Sequence, residues 1–203
     1  MFRSKAEKEA IEAGYDPARL PPGQYLTDKW PVLHAGDVAH YPADLAGWTF
    51  RVWGEVDNPI ELDWDTFTAL PQATVTEDIH CVTRWSRFDV TFSGVAWTTL
   101  RELVGQRPSA RYAIAHAEAG FTTNVPASLL ETPGALLVTH ADGEPLEPDH
   151  GWPLRLVVPG VYFWKSAKWL RGIELVEHDR PGFWERYGYH NDADPFKEQR
   201  YAF

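Results

Sequence analysis

Residues 74–92 read TVTEDIHCVTRWSRFDVTF and place the single cysteine of the chain, Cys81, between two predicted strands. Residues 74–80 and 88–92 carry the β-branched and aromatic residues that strands favour. The other predicted elements are also short: strands at residues 48–53, 111–115, 135–139, 154–158 and 172–177, and helices at residues 4–13, 63–70 and 97–104. Many short strands with a few short helices indicate an α+β fold and not a doubly wound α/β fold.

The length and composition suit one folded domain. The chain has 203 residues, of which 44% are hydrophobic and 24% are charged, and these are ordinary values for a globular protein. Residues 1–46 are predicted to form a helix and a proline-rich arm that wraps over the body as part of the same domain. Residues 47–203 are predicted to form the body, including a C-terminal tail too rich in aromatic residues to be disordered.

Charge, cysteine count and missing motifs exclude several classes of protein. Lys and Arg number 19 and Asp and Glu number 29, so the net charge of −10 disfavours nucleic-acid binding. One cysteine allows no intrachain disulfide and no cysteine-based zinc site of its own. No P-loop, dinucleotide-binding glycine motif, Gly-x-Ser-x-Gly or His-Glu-x-x-His is present. The longest apolar run, residues 156–164, is too short to span a bilayer and residues 1–8 lack a signal core, so we expect a cytoplasmic protein with no membrane segment.

Cys81 has two interpretations. It follows His80 and precedes Arg84, and positive charge nearby lowers the pKa of a thiol. The resulting thiolate could bind a soft metal or attack an electrophile. The alternative is a buried structural thiol, because free cysteine is among the most buried residue types.

A second group of residues combines cations with an apolar strand. Residues 150–155 read HGWPLR and residues 165–169 read KSAKW, so Arg155 lies at the start of the predicted strand at residues 154–158, and Lys165 and Lys168 follow that strand by a few residues. Cations beside a buried strand need an anionic partner. A phosphate would serve, with bidentate hydrogen bonds from Arg155. The alternative partners are carboxylates of the chain: Asp149, Glu174 and Glu177.

Residues 78–86, 149–169 and 182–184 together resemble the molybdopterin-binding domain of the sulfite oxidase family, in its short, haem-free bacterial members. The resemblance runs from about residue 31 to residue 201. It implies a mixed, β-rich sulfite oxidase-type fold with short helices. It also implies a molybdenum cofactor whose metal is held by a pterin dithiolene and by the thiolate of Cys81. The implied reaction is oxygen-atom transfer on a small sulfur or nitrogen oxide, with the hard chemistry carried by the cofactor.

The resemblance also assigns roles to individual residues. His150 and Arg155 match positions that hold the pterin and its phosphate. Lys168, with the backbone of Ser166 and Ala167, matches a phosphate-holding turn, and Lys165 matches a position that is basic in the family.

Four further candidates follow from the same resemblance. Arg84 and Tyr162 are predicted to contact the substrate. Thr83 stands where the sulfoxide-reductase branch has an acidic residue, and we count it among the cofactor-binding candidates. His34 matches a strand that touches the pterin, or is a surface or core histidine. The sulfite oxidases proper follow the cysteine with small residues and two arginines, so the run after Cys81 is nearer to the sulfoxide-reductase branch.

Two other functions remain open at this point. The same fold could hold or deliver the pterin without turnover. The chain could also be a metal-free structural or sugar-binding domain, since its ten tryptophans could stack on sugars. For the enzyme, the resemblance implies a small oxyanion or sulfoxide substrate and an unidentified electron-transfer partner. The chain has no room for the haem and dimerisation domains of larger members, so we expect a monomer.

Overall fold

The computed structural model describes residues 4–33 and 35–202 of the chain. The strands are β1 Tyr25–Leu26, β2 Thr49–Gly54, β3 Ile60–Asp63, β4 Gln72–His80, β5 Trp85–Ala96, β6 Tyr112–Ala117, β7 Thr122–Pro126, β8 Leu136–Ala141, β9 Glu144–Pro145, β10 Arg155–Val157 and β11 Leu170–Val176. The helices are α1 Lys5–Glu12, α2 Trp64–Thr68, α3 Trp97–Val104, α4 Ala127–Leu130 and α5 Phe183–Arg186. Most strands predicted from the sequence are present, with shifted ends.

The strands form two mixed sheets. In the six-stranded sheet the order is β1-β5-β8-β10, with β4 also paired to β5 and β9 to β8. In the five-stranded sheet the order is β3-β2-β11-β6-β7. Only the pairs β1–β5 and β2–β11 are parallel among the named strands. The predicted α+β class is confirmed, because short helices accompany mainly antiparallel pairs.

Local sequence signals explain where the helices begin and end. Ser4 caps α1 through a capping box with Glu7, as their spacing predicts. Asp63 accepts a hydrogen bond from the backbone N–H of Thr66 at the start of α2. Helix α3 ends at Gly105, whose φ of +62° is the left-handed conformation that glycine adopts at helix ends.

The strand β5 is longer than its sequence pattern predicts because it is held by three neighbours. Residues 88–92 carry the strand pattern, whereas the strand runs over Trp85–Ala96. It pairs with β1, β4 and β8, and these ladders extend it on both sides. At Gly94 the backbone of β8 comes so close that an added Cβ would lie 2.0 Å from the carbonyl oxygen of Leu137.

The N-terminal arm contacts the body along its length. The Arg19 guanidinium lies 2.6 Å from Asp78 and 2.5 Å from Asp89. Strand β1 lies parallel to β5, with Tyr25 opposite Trp85. These contacts support the proposal that residues 1–46 and 47–203 form one domain. Among residues 4–33 and 35–202, none of the helices combines the length and the apolar character needed to cross a bilayer.

The aromatic tail also contacts the body. The ring of Trp164 meets the ring of Tyr189 edge to face, with centroids 5.0 Å apart. Tyr189 in turn contacts Trp184 and Tyr201, at 4.9 and 5.3 Å. These ring pairs hold the tail against the short 3-10 helix Phe163–Lys165, which follows β10.

Candidate cofactor site

Cys81 lies in the tight turn that joins β4 to β5. Its backbone N–H donates to the carbonyl of Trp85 at 2.9 Å, and its carbonyl accepts from the N–H of Arg84 at 3.0 Å. Arg84 closes the turn with a φ of +78°, in the left-handed region. The end of a long antiparallel hairpin therefore holds the thiol.

Burial dominates the chemistry of the thiol. Cys81 is 9% exposed, and burial raises its pKa, opposed by the hydrogen bond with the Thr83 hydroxyl at 3.1 Å. The preceding His80 is neutral at pH 7, because burial lowers its pKa to about 4, and its Nδ1 bonds the Ser86 hydroxyl at 2.8 Å. The expectation that His80 and Arg84 lower the pKa of Cys81 is wrong, because one is uncharged and the other has an exposed side chain.

Cys81 lines a cavity of about 1020 Å³. This volume is at the upper end of the range for small-molecule and cofactor pockets. Five parts of the chain contribute to its wall. They are the N-terminal arm between Trp30 and Tyr41, the turn after β4, the connection between β6 and β7, the segment around β10 and the C-terminal tail. Sequence-predicted residues in the wall are Cys81, Thr83, His150, Arg155, Ser166, Ala167 and Lys168.

Arg155 is a buried cation in this wall that pairs with no carboxylate of the described residues. It opens β10 and is 2% exposed. Its Nη1 and Nη2 donate to the carbonyls of His150 and Ser166, at 2.8 and 2.9 Å. Its Nε is buried and has no hydrogen-bond partner among the described residues. Burial lowers the pKa of Arg155 to about 9, which leaves the guanidinium protonated at neutral pH.

Lys168 is a second such cation. Its Nζ donates to the backbone carbonyls of Leu33 and Asp149, both at 2.9 Å. Burial and then the charge of Arg155 lower its pKa to about 8. Within residues 4–33 and 35–202, neither cation forms a salt bridge to a carboxylate.

The carboxylate partners considered from the sequence are engaged differently. Glu174 pairs with His116 at 3.0 Å and with Arg180. Asp149 reaches Lys168 through its carbonyl oxygen and not through a carboxylate hydrogen bond. Arg155 and Lys168 therefore remain available for an anionic ligand, whereas Arg171 of the same wall pairs with Glu118 at 3.1 Å.

Gly151 allows the two cations to lie side by side. It adopts a φ of +107° at the end of the 3-10 helix Pro148–His150. An added Cβ there would lie 3.0 Å from the Cβ of Lys168 and 3.1 Å from the Cβ of Arg155. A side chain at this position would push the two basic residues apart, and glycine also avoids the strain of the positive φ.

His150 is held flat by an aromatic ring. Its imidazole stacks on the indole of Trp30, with centroids 4.1 Å apart and planes inclined by 17°. Burial, followed by the charges of Arg155 and Lys168, lowers the pKa of His150 to about 4. A neutral imidazole offers one donor and one acceptor, which suits a heterocyclic ligand such as a pterin.

The structure places three of the predicted residues away from the cavity wall. Lys165 is 1% exposed. Its ammonium lies 2.6 Å from the Glu185 carboxylate and donates to the Asn124 carbonyl at 2.9 Å. Arg84 is exposed at the end of its turn. Tyr162 is completely buried in the larger hydrophobic core. None of the three lines the cavity as far as the chain is described, and His34 lies outside the described residues.

The wall also contains residues to which the sequence assigned no role, among them Tyr189 and Trp30. Tyr189 lines the cavity, and burial raises its pKa, with further contributions from Tyr201 and Cys81. Tyr189 is therefore a tyrosine of the cavity wall that interacts electrostatically with Cys81, as the resemblance led us to expect of Tyr162. Trp30 lines the cavity beside His150. The aromatic richness of the tail predicts packing, but it does not indicate which ring reaches the site.

The donors in this cavity fit a molybdenum pterin cofactor. Arg155 and Lys168 supply positive charge without carboxylate partners, and the buried Nε of Arg155 lacks an acceptor among the described residues. A phosphate would supply both the charge and the acceptor. Cys81 supplies a sulfur donor in the same wall, of the kind that soft metals prefer.

Comparisons with known proteins agree with this donor set. The family described as oxidoreductase molybdopterin binding domain matches residues 36–184. The oxidoreductase YuiH of Bacillus subtilis is 47% identical over 184 residues, which are 91% of this chain and 92% of the relative. The catalytic subunit MsrP of the protein-methionine-sulfoxide reductase of Gluconobacter oxydans is 27% identical, over 92% of this chain and 73% of its own.

The fold has a counterpart among solved structures. The sulfane dehydrogenase SoxCD of Paracoccus pantotrophus superposes with a TM-score of 0.66 at 19% identity, covering 76% of this chain and 43% of the other. At that identity the match shows the fold alone, and it confirms the sulfite oxidase-type fold predicted from the sequence.

Fold and donor set together define a molybdenum cofactor-dependent oxidoreductase. The chain belongs to the family of molybdopterin-binding oxidoreductases related to sulfite oxidase. The prediction of the family and of its cofactor from the sequence is thereby confirmed.

Proposed function

We propose that this chain reduces a sulfoxide by oxygen-atom transfer, with molybdenum bound to Cys81. The observation that carries the proposal is the single cavity wall shared by the Cys81 thiol and the carboxylate-free cations Arg155 and Lys168. When bound, the cofactor supplies a metal that exchanges an oxygen atom and two electrons. The residues of the chain bind that cofactor and shape the space beside it.

Each predicted cofactor residue in the described part of the chain keeps a role in this proposal except Lys165, and His34 lies outside that part. Cys81 is the metal ligand and Thr83 hydrogen-bonds its sulfur. Arg155 and Lys168 bind the phosphate, and His150 binds the pterin. The segment with Ser166 and Ala167 orients Arg155, because the Ser166 carbonyl accepts from its Nη2. Lys165 is left out, because its ammonium is bound to Glu185 and Asn124.

A neutral substrate suits the surroundings of the thiol better than an oxyanion. The wall near Cys81 includes the rings of Trp85, Trp164 and Tyr189. The side chain of Arg84, the cation nearest in sequence, is exposed and lies outside the described part of the wall. A sulfoxide carries no net charge and presents one polar oxygen. The Tyr189 hydroxyl, whose pKa is raised by burial, remains a hydrogen-bond donor at neutral pH and is the residue we assign to that oxygen.

The reaction is balanced by two electrons and two protons. The sulfur–oxygen bond of the sulfoxide breaks, the sulfur is left as a thioether, and the oxygen leaves as water. The electrons come from an external donor. The same proposal includes a cytoplasmic location, a monomeric state and a separate electron-transfer protein. Cell fractionation tests the location, and sedimentation tests the monomeric state.

The test is a substrate panel with the holoprotein. The chain is produced in a host that makes the molybdenum cofactor, and molybdenum and pterin are measured per chain. A reduced viologen dye, which donates one electron per molecule, then supplies two equivalents per turnover for methionine sulfoxide, dimethyl sulfoxide and nitrate, and a dye oxidant replaces it for sulfite. We expect turnover of a sulfoxide, and we expect Cys81→Ser to abolish it while the fold is retained.

The variants separate this function from the carrier alternative. Arg155→Lys keeps the charge but loses the paired N–H donors, so it should lower cofactor retention. Thr68→Ala, on the exposed end of α2, is the control. Oxidation of sulfite without sulfoxide reduction would overturn the substrate. Full activity in Cys81→Ser would overturn the site, and full loading without any turnover would favour a carrier.

A further inference from the structure

We propose that Gln24, in the N-terminal arm, is a positioning residue that sets the turn carrying Cys81. Gln24 is 4% exposed, and its Nε2 donates to the carbonyl of Cys81 at 2.9 Å. The same nitrogen lies 3.5 Å from the carbonyl of Trp85. The inference rests on the proposed role of Cys81 as the metal ligand.

The contact acts on the two residues that close the turn. The N–H of Cys81 donates to the carbonyl of Trp85, so these residues form the last backbone pair before the turn. One carboxamide nitrogen faces both of their carbonyls. A side chain from the arm thus bridges the end of β4 and the start of β5.

The backbone around Gln24 is itself held in place. On one side, the N–H of Tyr25 donates to the carbonyl of Arg84 at 2.9 Å, and β1 continues the ladder along β5. On the other side, Nη2 of Arg200 donates to the carbonyl of Pro22 at 3.1 Å. Between them, a Cβ on Gly23 would lie 2.8 Å from a carboxylate oxygen of Glu198. The β4–β5 hairpin and the C-terminal tail therefore fix where the Gln24 side chain begins.

A contribution to the stability of the fold does not by itself explain why a glutamine occupies position 24. The Oε1 of Gln24 is buried without a hydrogen-bond partner among the described residues. An unpaired buried acceptor costs free energy that an apolar side chain of the same size would avoid. A role in fixing the Cys81 carbonyl explains why an amide occupies the position. The carbonyl carbon and the side chain of Cys81 are both attached to its Cα, and the sulfur is two bonds from that atom. A rotation of the turn would therefore move the sulfur that we propose as the metal ligand.

The test uses the fact that Cys81 is the single cysteine, so thiol labelling reports on it alone. Gln24→Met keeps the length of the side chain and removes the donor. Gln72→Met is the matched control, because Gln72 stands at the other end of β4 and its Nε2 also donates to backbone carbonyls, those of Thr68 and Leu70. Alkylation by iodoacetamide is measured at one fixed pH on cofactor-free protein. The EPR spectrum of molybdenum(V) is then measured on reduced, loaded protein.

We expect Gln24→Met to speed alkylation by about fivefold, since one hydrogen bond of ordinary net strength no longer opposes opening of the turn. We also expect a changed EPR spectrum, whereas Gln72→Met should match the native protein in both measurements. A native alkylation rate or a native spectrum in Gln24→Met would overturn the proposal, as would equal effects in the two variants. If the native protein retains no molybdenum, the proposed function fails, while the alkylation rates still test the contact between Gln24 and the turn.

Discussion

The Lys165 ammonium lies 2.6 Å from the Glu185 carboxylate, and the two side chains are 1% and 2% exposed. The indole N–H of Trp164 donates to the same carboxylate oxygen at 2.9 Å. Lys165 also donates to the carbonyl and the side-chain oxygen of Asn124. This network joins the 3-10 helix Phe163–Lys165 to α5. Because Trp164 lines the cofactor cavity, the buried pair holds one of its aromatic walls.

Breaking this pair should destabilise the protein. Glu185→Ala should lower the free energy of unfolding by about 3–5 kcal/mol, because Lys165 would remain as a buried charge without its partner. Urea denaturation of the cofactor-free protein measures the change. Glu61→Ala is the control, since Glu61 pairs with Arg51 at 3.3 Å on the surface and such pairs contribute less than about 1 kcal/mol. Equal losses in the two variants would contradict the special role of the buried pair.

The binding of a phosphate-bearing ligand should depend on the charge of Lys168. Its pKa is lowered to about 8, so its ammonium is largely present below that pH and is lost above it. Pyrophosphate binding to the cofactor-free chain, measured by calorimetry, should therefore weaken as the pH rises from about 7 to about 9. Lys168→Arg keeps its charge over this range and should reduce the dependence, leaving the part near about pH 9 where Arg155 also titrates. An unchanged slope in Lys168→Arg would show that another group is responsible.

Stability should fall as the solution becomes acidic. His80 and His150 both have a pKa lowered to about 4 in the folded chain, whereas an unfolded histidine titrates near about 6.5. Between these values the unfolded chain binds protons that the folded chain does not, so the free energy of unfolding decreases as the pH falls through this window.

Denaturation at a series of pH values measures this dependence. The double variant His80→Gln/His150→Gln removes both groups and should flatten the curve between about pH 6.5 and about pH 5. A slope as steep as that of the native chain would contradict the assignment to these two histidines.

Gly94→Ala should disrupt the sheet that carries the Cys81 hairpin. An added Cβ would lie 2.0 Å from the Leu137 carbonyl oxygen, so the strands β5 and β8 would have to separate. We expect a loss of at least about 2 kcal/mol in the free energy of unfolding. Gly143→Ala is the comparison, because its Cβ would meet nothing within 4 Å and only its φ of +87° opposes the change, at about 1 kcal/mol. Similar losses in both would exclude the close approach as the cause.

Local signals in the sequence determined much of the secondary structure. The capping box of Ser4 and Glu7 set the start of α1, and Gly105 set the end of α3. These features depend on residues within one turn of the chain, so they can be predicted without the fold. The strand β3 and the helix α5 have only four residues each, too few to show the hydrophobic periodicity of a strand or a helix, so the sequence did not predict them.

The tertiary structure decided which basic residues serve the cavity. Lys165 and Lys168 are three residues apart, and because both side chains are positively charged, both are candidates for binding a phosphate. Lys165 pairs with Glu185, which is twenty residues later in the chain. Lys168 lines the cavity beside Arg155 and Gly151. The partner of a buried charge is set by contacts between distant segments, which the spacing of residues does not contain.

The same division holds for the rest of the site. Residue types and their order were enough to predict the α+β class, the family and the pairing of one cysteine with a basic segment. Three-dimensional packing was needed to place Tyr189 in the cavity wall with Cys81, to place Tyr162 in the hydrophobic core and to bring Gln24 to the turn that holds the thiol. Gln24 and Cys81 are 57 positions apart in the sequence. Their contact therefore depends on how the N-terminal arm packs against the β4–β5 hairpin, which local sequence patterns do not contain.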